Sequence, residues 1–100
     1  MIIYYTTCKN KIEAKKIAKA LLKDKLIACA NIFEVNSLYE WDGKMQDHNE
    51  AILWVKTIDR RTEEVKDAIR KLHSYDIPAI VEIKTRVNAE YLAWVESQIK

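Results

Sequence analysis

The chain has 100 residues, of which 49% are apolar and 32% are charged, and its formal net charge is +2. This length supports one domain around one hydrophobic core, and so small a net charge does not require a polyanionic partner. Lysines crowd the segment from Lys9 to Lys25 without arginine or aromatic residues among them. Because a nucleic-acid surface needs such residues, we interpret the stripe as a solvated helix face and expect no nucleic-acid partner.

Targeting signals are not evident in the sequence. Residues 1–6 lack a basic region, and their apolar run is too short for a signal peptide. The longest uncharged apolar run, residues 26–30, cannot cross a bilayer. The two cysteines, Cys8 and Cys29, are then expected to be reduced thiols. We therefore expect a cytoplasmic protein with no membrane partner.

The first elements in chain order are a strand and a helix. Residues 2–7 are β-branched and aromatic, which predicts a central strand with apolar side chains on both faces. Asn10 followed by Glu13 resembles a capping box and predicts a helix that extends to about Asp24. The spacing of its apolar residues predicts one buried stripe. The stripe consists of Ala14, Ile17, Ala18 and Leu21.

A long hairpin follows, and its turn contains the single glycine of the chain, Gly43. The pair Asp42-Gly43 between strand-like runs predicts a type I′ turn, in which facing residue numbers sum to 85 and Cys29 faces Lys56. At roughly 3.3 Å per residue, each arm, residues 27–41 and 44–57, spans about 45–50 Å. A domain of this size is only about 35 Å across. The hairpin must therefore bend at a bulge or reach another copy of the chain.

The two halves of the hairpin differ in composition. The half near the strand roots is apolar on both faces and is predicted to be buried, whereas the tip mixes aromatic and charged residues. Among the tip residues, Asp47, His48 and Glu50 could hold a cation. Because Asp47 and His48 are adjacent in a strand and point to opposite faces, we favour solvation or salt bridges between subunits.

The second half of the chain predicts a helix, a strand and a last helix. Asp59 is a candidate N-cap for a helix that ends near His73, with Val65, Ile69 and Leu72 as its buried stripe. Residues 80–87 predict a strand, and Asn88 caps a short helix. The fold class is therefore α+β: a ferredoxin-like βαββαβ sandwich with an extra C-terminal helix and a long β2–β3 hairpin, forming a single domain over residues 1–100.

Several runs, in this order and spacing, resemble the CutA family of small proteins named for divalent-cation tolerance. They are Leu26-Ile27-Ala28-Cys29-Ala30-Asn31, Trp41-Asp42-Gly43-Lys44, Glu50, Lys56-Thr57, His73-Ser74-Tyr75-Asp76-Ile77-Pro78-Ala79 and Tyr91-Leu92-Ala93-Trp94. The resemblance covers essentially the whole chain. It implies a ferredoxin-like protomer in a stable homotrimer with an architecture similar to that of PII signalling proteins.

The resemblance also implies a metal site. Family members bind copper through a histidine at the end of the second helix, matched here by His73, and use a cysteine at the end of the first strand. At that strand position the chain has Thr6, and Cys8 follows two residues later. Divalent metal ions, copper above all, are therefore the expected partners besides other copies of the chain. No enzymatic activity is implied.

Residue chemistry leaves several alternatives open for the other candidates. Cys29 is a candidate metal ligand, although a free cysteine often packs as a small apolar residue. Lys56 opposite it could line an anion pocket, lower the pKa of the thiol, or snorkel at a strand end. The residues predicted to line an inter-subunit cleft or interface are Trp41, Glu50, Lys56, Tyr75 and Trp94.

The sequence contains no P-loop, no G-x-S-x-G, no H-E-x-x-H and no Cys-x-x-Cys motif, so no enzyme is expected. Three hypotheses remain. The first is a cytosolic, non-enzymatic, metal-responsive homotrimer. The second is a PII-like signalling module that binds a small anionic ligand in clefts between subunits, and the third is a structural scaffold trimer.

Overall fold

A computed structural model describes residues 1–100 as four strands and three α-helices joined by short connections. In chain order the elements are β1 (Ile2–Cys8), α1 (Lys11–Lys23), β2 (Cys29–Trp41), β3 (Lys44–Thr57), a 3₁₀ turn (Asp59–Arg61), α2 (Thr62–Leu72), β4 (Ile80–Lys84) and α3 (Ala89–Gln98).

The four strands form one antiparallel sheet in the order β2-β3-β1-β4. Strand β1 is central, as predicted, because β3 pairs with one of its edges and β4 with the other. Helices α1 and α2 cover one face of the sheet and share its main core. The order of elements and strands confirms the ferredoxin-like fold with an appended C-terminal helix.

Two hydrophobic clusters hold these layers together. The main cluster joins β1 and β3 to α1 and α2, and it includes the whole predicted stripe of α1 but only Val65 and Ile69 of the stripe predicted for α2. A smaller cluster, formed by Ala28, Ile58, Val95 and Ile99, seats α3. The four predicted stripe residues of α1 are all buried.

Helix α1 begins as predicted, with a difference in the capping box. The side chain of Asn10 accepts a hydrogen bond from the Glu13 N–H at 2.9 Å. The Glu13 carboxylate bonds back to the N–H of Lys9 at 3.0 Å, one residue before the cap. Glu13 is therefore drawn into the protein at the N-terminus of the helix, where it is 6% exposed.

The hairpin has the predicted turn and register. Asp42 and Gly43 both have positive φ, +54° and +75°, as a type I′ turn requires. Pairing runs without a bulge from Trp41 with Lys44 to Cys29 with Lys56. The arms therefore stay continuous, and the protomer is elongated, measuring 46 × 24 × 20 Å. Large apolar side chains stay exposed near the tip. They include Leu38, Trp41 and Met45.

The prediction that both strands are buried in the half of the hairpin far from the turn was wrong for β2. In β3, residues such as Ile52 and Leu53 are buried, but Phe33, opposite Ile52, remains 46% exposed. The reason is topological, because β3 has a strand on both sides whereas β2 is an edge strand. An edge strand has a neighbouring strand on one side only, so its side chains are flanked on one side only, and the sequence pattern does not distinguish the two positions.

The structure also differs from the sequence-based predictions at the ends of helices and strands. Asp59 begins the 3₁₀ turn and does not cap α2, which starts three residues later after Arg61. Leu72 lies at the last turn of α2 and is 36% exposed, whereas Val65 and Ile69 are fully buried. Strand β4 ends at Lys84, which pairs with Ile2, because Ile2 is the first residue of the partner strand β1.

Candidate functional site

His73 follows α2 directly, and both of its ring nitrogens are engaged. Nδ1 accepts a hydrogen bond from the N–H of Tyr75 at 3.1 Å, which places the ring proton on Nε2. Nε2 then donates to the carbonyl oxygen of Thr7 at 3.0 Å. The ring is thereby held between the end of β1 and the loop that follows α2, and a metal ion would replace at least one of these bonds.

Two further potential ligands lie beside His73. One donor atom each from Cys8, Glu13 and His73 lies within 4.8 Å of the others. They come from the end of β1, the first turn of α1 and the end of α2, which meet at the C-terminal end of the central strand β1. A thiolate, an imidazole and a carboxylate together suit copper or zinc better than magnesium or calcium. We call these three residues the Cys8 cluster.

In the Cys8 cluster the thiol of Cys8 is protonated, and Glu13 and His73 already form hydrogen bonds with backbone groups. Burial raises the pKa of the Cys8 thiol to about 12, and the charges of Glu13 and Glu50 add to the rise. Burial alone would also raise the pKa of Glu13, but hydrogen bonds from Ser74 and from the Lys9 N–H outweigh it and hold that pKa below its usual range. A metal ion at the cluster therefore has to displace the Cys8 proton and compete with these hydrogen bonds.

Cys29, the other predicted ligand, lies elsewhere in the protomer. It pairs with Lys56 on β3, whereas Cys8 pairs with Ala51, five positions along the same strand. That offset corresponds to about 17 Å along the sheet at roughly 3.3 Å per residue. His73 and Cys29 of one protomer therefore do not share a metal ion.

Sequence reasoning missed Cys8 and Glu13 as partners of His73. One signal for Cys8 was available, because residues two apart in a strand share a face, so Cys8 points to the same side as Thr6. Both side chains are fully buried. Glu13 gave no such signal, because a helix-capping glutamate is ordinarily solvent-exposed.

A cavity of about 770 Å³ opens between the hairpin tip and the loop after α2. Glu50 lies in its wall, is 6% exposed, and accepts a 2.5 Å hydrogen bond from the Tyr75 hydroxyl. Burial, together with this bond and the charge of Glu50, raises the pKa of Tyr75 above its usual range. His48 lies on the same side of the hairpin, with Nε2 3.0 Å from the Tyr39 hydroxyl and 3.9 Å from Glu50 Oε1.

The predicted cleft residues divide into two groups within one protomer. Trp41, Glu50 and Tyr75 all line the cavity. Lys56 instead donates a 3.1 Å hydrogen bond to the Tyr91 hydroxyl, and its Nζ lies 5.1 Å from the centre of the Tyr91 ring. The Trp94 ring lies 5.6 Å from that of Tyr91. The second group therefore surrounds Tyr91 of α3, and its β3 member, Lys56, is six positions along that strand from Glu50.

Comparison with known proteins identifies the family. Residues 2–98 match the family model described as CutA1 divalent ion tolerance protein. The chain belongs to the CutA family. The divalent-cation tolerance protein CutA of Pyrococcus horikoshii is 44% identical over 101 residues, covering 100% of this chain and 99% of that protein. The family resemblance found in the sequence is therefore confirmed.

Solved CutA structures agree with the fold over the full length of the chain. The crystal structure of Pyrococcus horikoshii CutA in 3 M guanidine hydrochloride superposes with a TM-score of 0.97 at 44% identity, covering 100% of both chains. The PII-like protein CutA of Nostoc sp. PCC 7120 in apo form superposes with a TM-score of 0.92 at 28% identity, covering 100% of this chain and 98% of that one. None of the helices here is both long and apolar enough to cross a membrane.

Proposed function

We propose that this CutA protein is a non-enzymatic cytoplasmic homotrimer that binds copper, or another divalent metal ion, at the Cys8 cluster. The observation that carries the proposal is the approach of a thiol, an imidazole and a carboxylate within 4.8 Å of one another. His73 remains the principal ligand expected from the sequence, and Cys8 takes the role first assigned to Cys29. Coordination by sulfur and nitrogen favours copper over magnesium and calcium.

The hydrogen bonds at the cluster set the strength of binding. Metal binding removes the Cys8 proton, whose pKa is about 12, and displaces a bond such as that between His73 and Thr7. Both processes oppose binding, so the affinity is modest and weakens as the pH falls. A protein with such a site loads metal when the metal is abundant, which suits a role in tolerance.

Trimer formation is supported by surfaces that the isolated protomer leaves uncovered. The hairpin tip exposes Leu38, Trp41 and Met45, at 65%, 62% and 74%. Strands β2 and β4 are the two edges of the sheet, and each has one row of backbone groups without a strand partner. Exposed apolar side chains and free strand edges favour pairing with further copies of the chain.

A copper titration under reducing conditions at pH 7.5 tests the metal site. We expect wild type to bind copper(I), and His73→Ala and Cys8→Ser each to lower the affinity about tenfold or more, since removing even an outer-shell partner costs about 10- to 100-fold. The matched control is His48→Ala, which removes the other histidine of the chain and should bind like wild type. Equal binding by wild type and His73→Ala would contradict the proposal.

The cavity favours a second candidate function, a PII-like module that binds a small ligand. The PII-like CutA of Nostoc has the same fold. An anionic ligand, as the sequence suggested, would need a basic side chain, such as Lys56, from a neighbouring subunit, because no basic residue lines the cavity in the protomer. Absence of both metal and small-molecule binding would leave the scaffold trimer as the remaining hypothesis.

A further inference from the structure

The loop after α2 is held by side chains of the Cys8 cluster. The N–H of Ser74 donates to Glu13 Oε2 at 2.9 Å. The next N–H along the chain, that of Tyr75, donates to His73 Nδ1 at 3.1 Å. The rings of His73 and Tyr75 also lie close together, with their centres 5.0 Å apart. The position of this loop therefore depends on the same side chains that are proposed to bind metal.

The hydrogen bond from Tyr75 is incompatible with a metal ion on the His73 ring. A backbone N–H can only donate, so Nδ1 is the acceptor, and the ring proton lies on Nε2, which donates to the Thr7 carbonyl oxygen. A metal ion on Nδ1 would replace the Tyr75 N–H directly. A metal ion on Nε2 would leave the ring proton on Nδ1, where it would face the Tyr75 N–H as a second donor. Coordination through either nitrogen therefore breaks this bond.

The side chain of Tyr75 anchors the base of the hairpin. Its hydroxyl donates a 2.5 Å hydrogen bond to Oε2 of Glu50, a residue that is 6% exposed. Pairing between β1 and β3 ends at Cys8 with Ala51, so Glu50 is the position at which the hairpin continues without β1 beside it. The bond from Tyr75 thus ties the start of the projecting arm to the loop after α2. Hydrogen bonds to an ionised acceptor are stronger than neutral ones.

We propose that Tyr75 couples the metal site to the hairpin: a metal ion on His73 releases the Tyr75 N–H, and the movement of the loop weakens the bond to Glu50. The inference rests on the proposed function, since it assigns a regulatory role to the same site. Coupling between two sites is reciprocal, so loss of the bond to Glu50 favours metal binding in turn. Tyr75 is thus a positioning residue for His73. All of these contacts lie within one protomer.

A copper(I) titration of Tyr75→Phe under reducing conditions at pH 7.5 tests the coupling. This variant keeps the ring and the backbone N–H but lacks the hydroxyl that holds Glu50. We expect it to bind copper about tenfold more tightly than wild type, because a hydrogen bond to a charged group is worth about that factor. A purely structural role of Tyr75 would give unchanged or weaker binding instead.

Tyr39→Phe is the matched control. It also removes one tyrosine hydroxyl, but this hydroxyl lies 3.0 Å from His48 Nε2 on the hairpin and is not bonded to the loop after α2. Its copper affinity should therefore equal that of wild type. Sedimentation of each variant verifies that assembly is unchanged.

Glu50→Gln weakens the same bond from the other partner, which keeps the test valid if Tyr75→Phe folds poorly. The hydroxyl of Tyr75 then donates to a neutral amide oxygen, and we expect tighter copper binding than in wild type. Part of this gain comes from the Cys8 thiol, because the charge of Glu50 adds to the rise in its pKa. Tyr75→Phe therefore gives the size of the coupling, and Glu50→Gln gives its direction.

A double-mutant cycle tests the coupling without metal. Urea denaturation of wild type, His73→Ala, Tyr75→Phe and the double variant, at one protein concentration, gives the coupling between the two side chains. If the His73 ring positions the loop, the hydroxyl bond of Tyr75 is already weakened in His73→Ala. The double variant should then be destabilised by less than the sum of the two single changes.

Two results would overturn the inference. One is copper binding by Tyr75→Phe and Glu50→Gln that is no tighter than that of a wild type that binds copper. The other is additivity in the double-mutant cycle. Absence of copper binding by wild type would contradict the proposed function instead, and the cycle would then decide whether His73 and Tyr75 are coupled.

Discussion

Glu13 is the residue on which the packing at the Cys8 cluster most depends. Its Oε1 accepts from the N–H of Lys9 at 3.0 Å, and its Oε2 accepts from the N–H of Ser74 at 2.9 Å. One carboxylate therefore ties the start of α1 to the loop after α2, across 61 residues of sequence. Such bonds to an ionised acceptor are stronger than neutral ones.

Replacing Glu13 by Gln should therefore destabilise the protein. An amide has one oxygen, so one of the two N–H groups loses its acceptor, and we expect a loss of about 1.5–3 kcal/mol in the free energy of unfolding at pH 7. Urea denaturation measures the change. Glu40→Gln, at an exposed position, serves as the control and should stay within about 0.5 kcal/mol of wild type. A loss in Glu13→Gln no larger than in the control would contradict this role.

The pH dependence of stability follows from the same residue. The pKa of Glu13 is lowered in the folded protein, so its contribution is fully present above the pKa of an unfolded glutamate, about 4.3. The contribution is lost as the pH falls through the lower, folded value. Wild type should therefore lose stability on acidification below that point, and Glu13→Gln should lose less.

At the scale of elements, the turn of the hairpin depends on backbone conformation alone. Gly43 has a φ of +75°, and a Cβ at this position would meet no atom within 4 Å. Gly43→Val should therefore lower stability only through the strain of a β-branched residue at positive φ, by about 1–3 kcal/mol per subunit. Thermal unfolding measures the change.

Gly43→Asn is the matched control for the turn. Asparagine tolerates the left-handed region better than valine does, and the open space around the site accepts either side chain. Its melting temperature should lie between those of wild type and Gly43→Val. Equal melting temperatures for the two variants would show that side-chain bulk, and not the sign of φ, determines the effect.

At the scale of the whole molecule, the exposed hairpin tip should govern assembly. Trp41 is 62% exposed at the end of a protomer that measures 46 Å in its longest direction. Trp41→Asp would remove a large aromatic anchor and place a charge in the proposed interface, so it should shift the protein towards smaller species. Sedimentation velocity at micromolar concentration measures the distribution.

Ile12→Asp provides the control for assembly, because it makes the same kind of change at a residue that is 78% exposed on α1. Its sedimentation should match that of wild type. A wild-type protein that sediments as a single monomeric species at neutral pH would contradict the trimer itself, whatever the variants do.

Local features of the sequence determined most of the fold. The turn at Asp42-Gly43 requires positive φ at two adjacent residues, and once placed it fixes every facing pair along the hairpin. The stripe of α1 and the central strand β1 followed from periodicity and from β-branched composition. These features could be predicted because each depends on residues close together in the chain.

The order of the strands in the sheet and the residues at which strands end depend on tertiary contacts, which the sequence pattern does not reveal. Phe33 is exposed because β2 has no strand beyond it, and β4 is short because β1 begins at Ile2. Neither fact follows from the residues of the element itself, since an edge strand and a central strand can share one apolar pattern.

The candidate site shows the same division. His73 and the cavity residues Trp41, Glu50 and Tyr75 were found in the sequence, because the family resemblance marks them. Only the tertiary structure brought Cys8 and Glu13 to His73, and only it separated Cys29 from them. The physical reason is that the fold brings the end of α2 back to the C-terminal end of β1 and the start of α1, from more than 60 residues away in sequence.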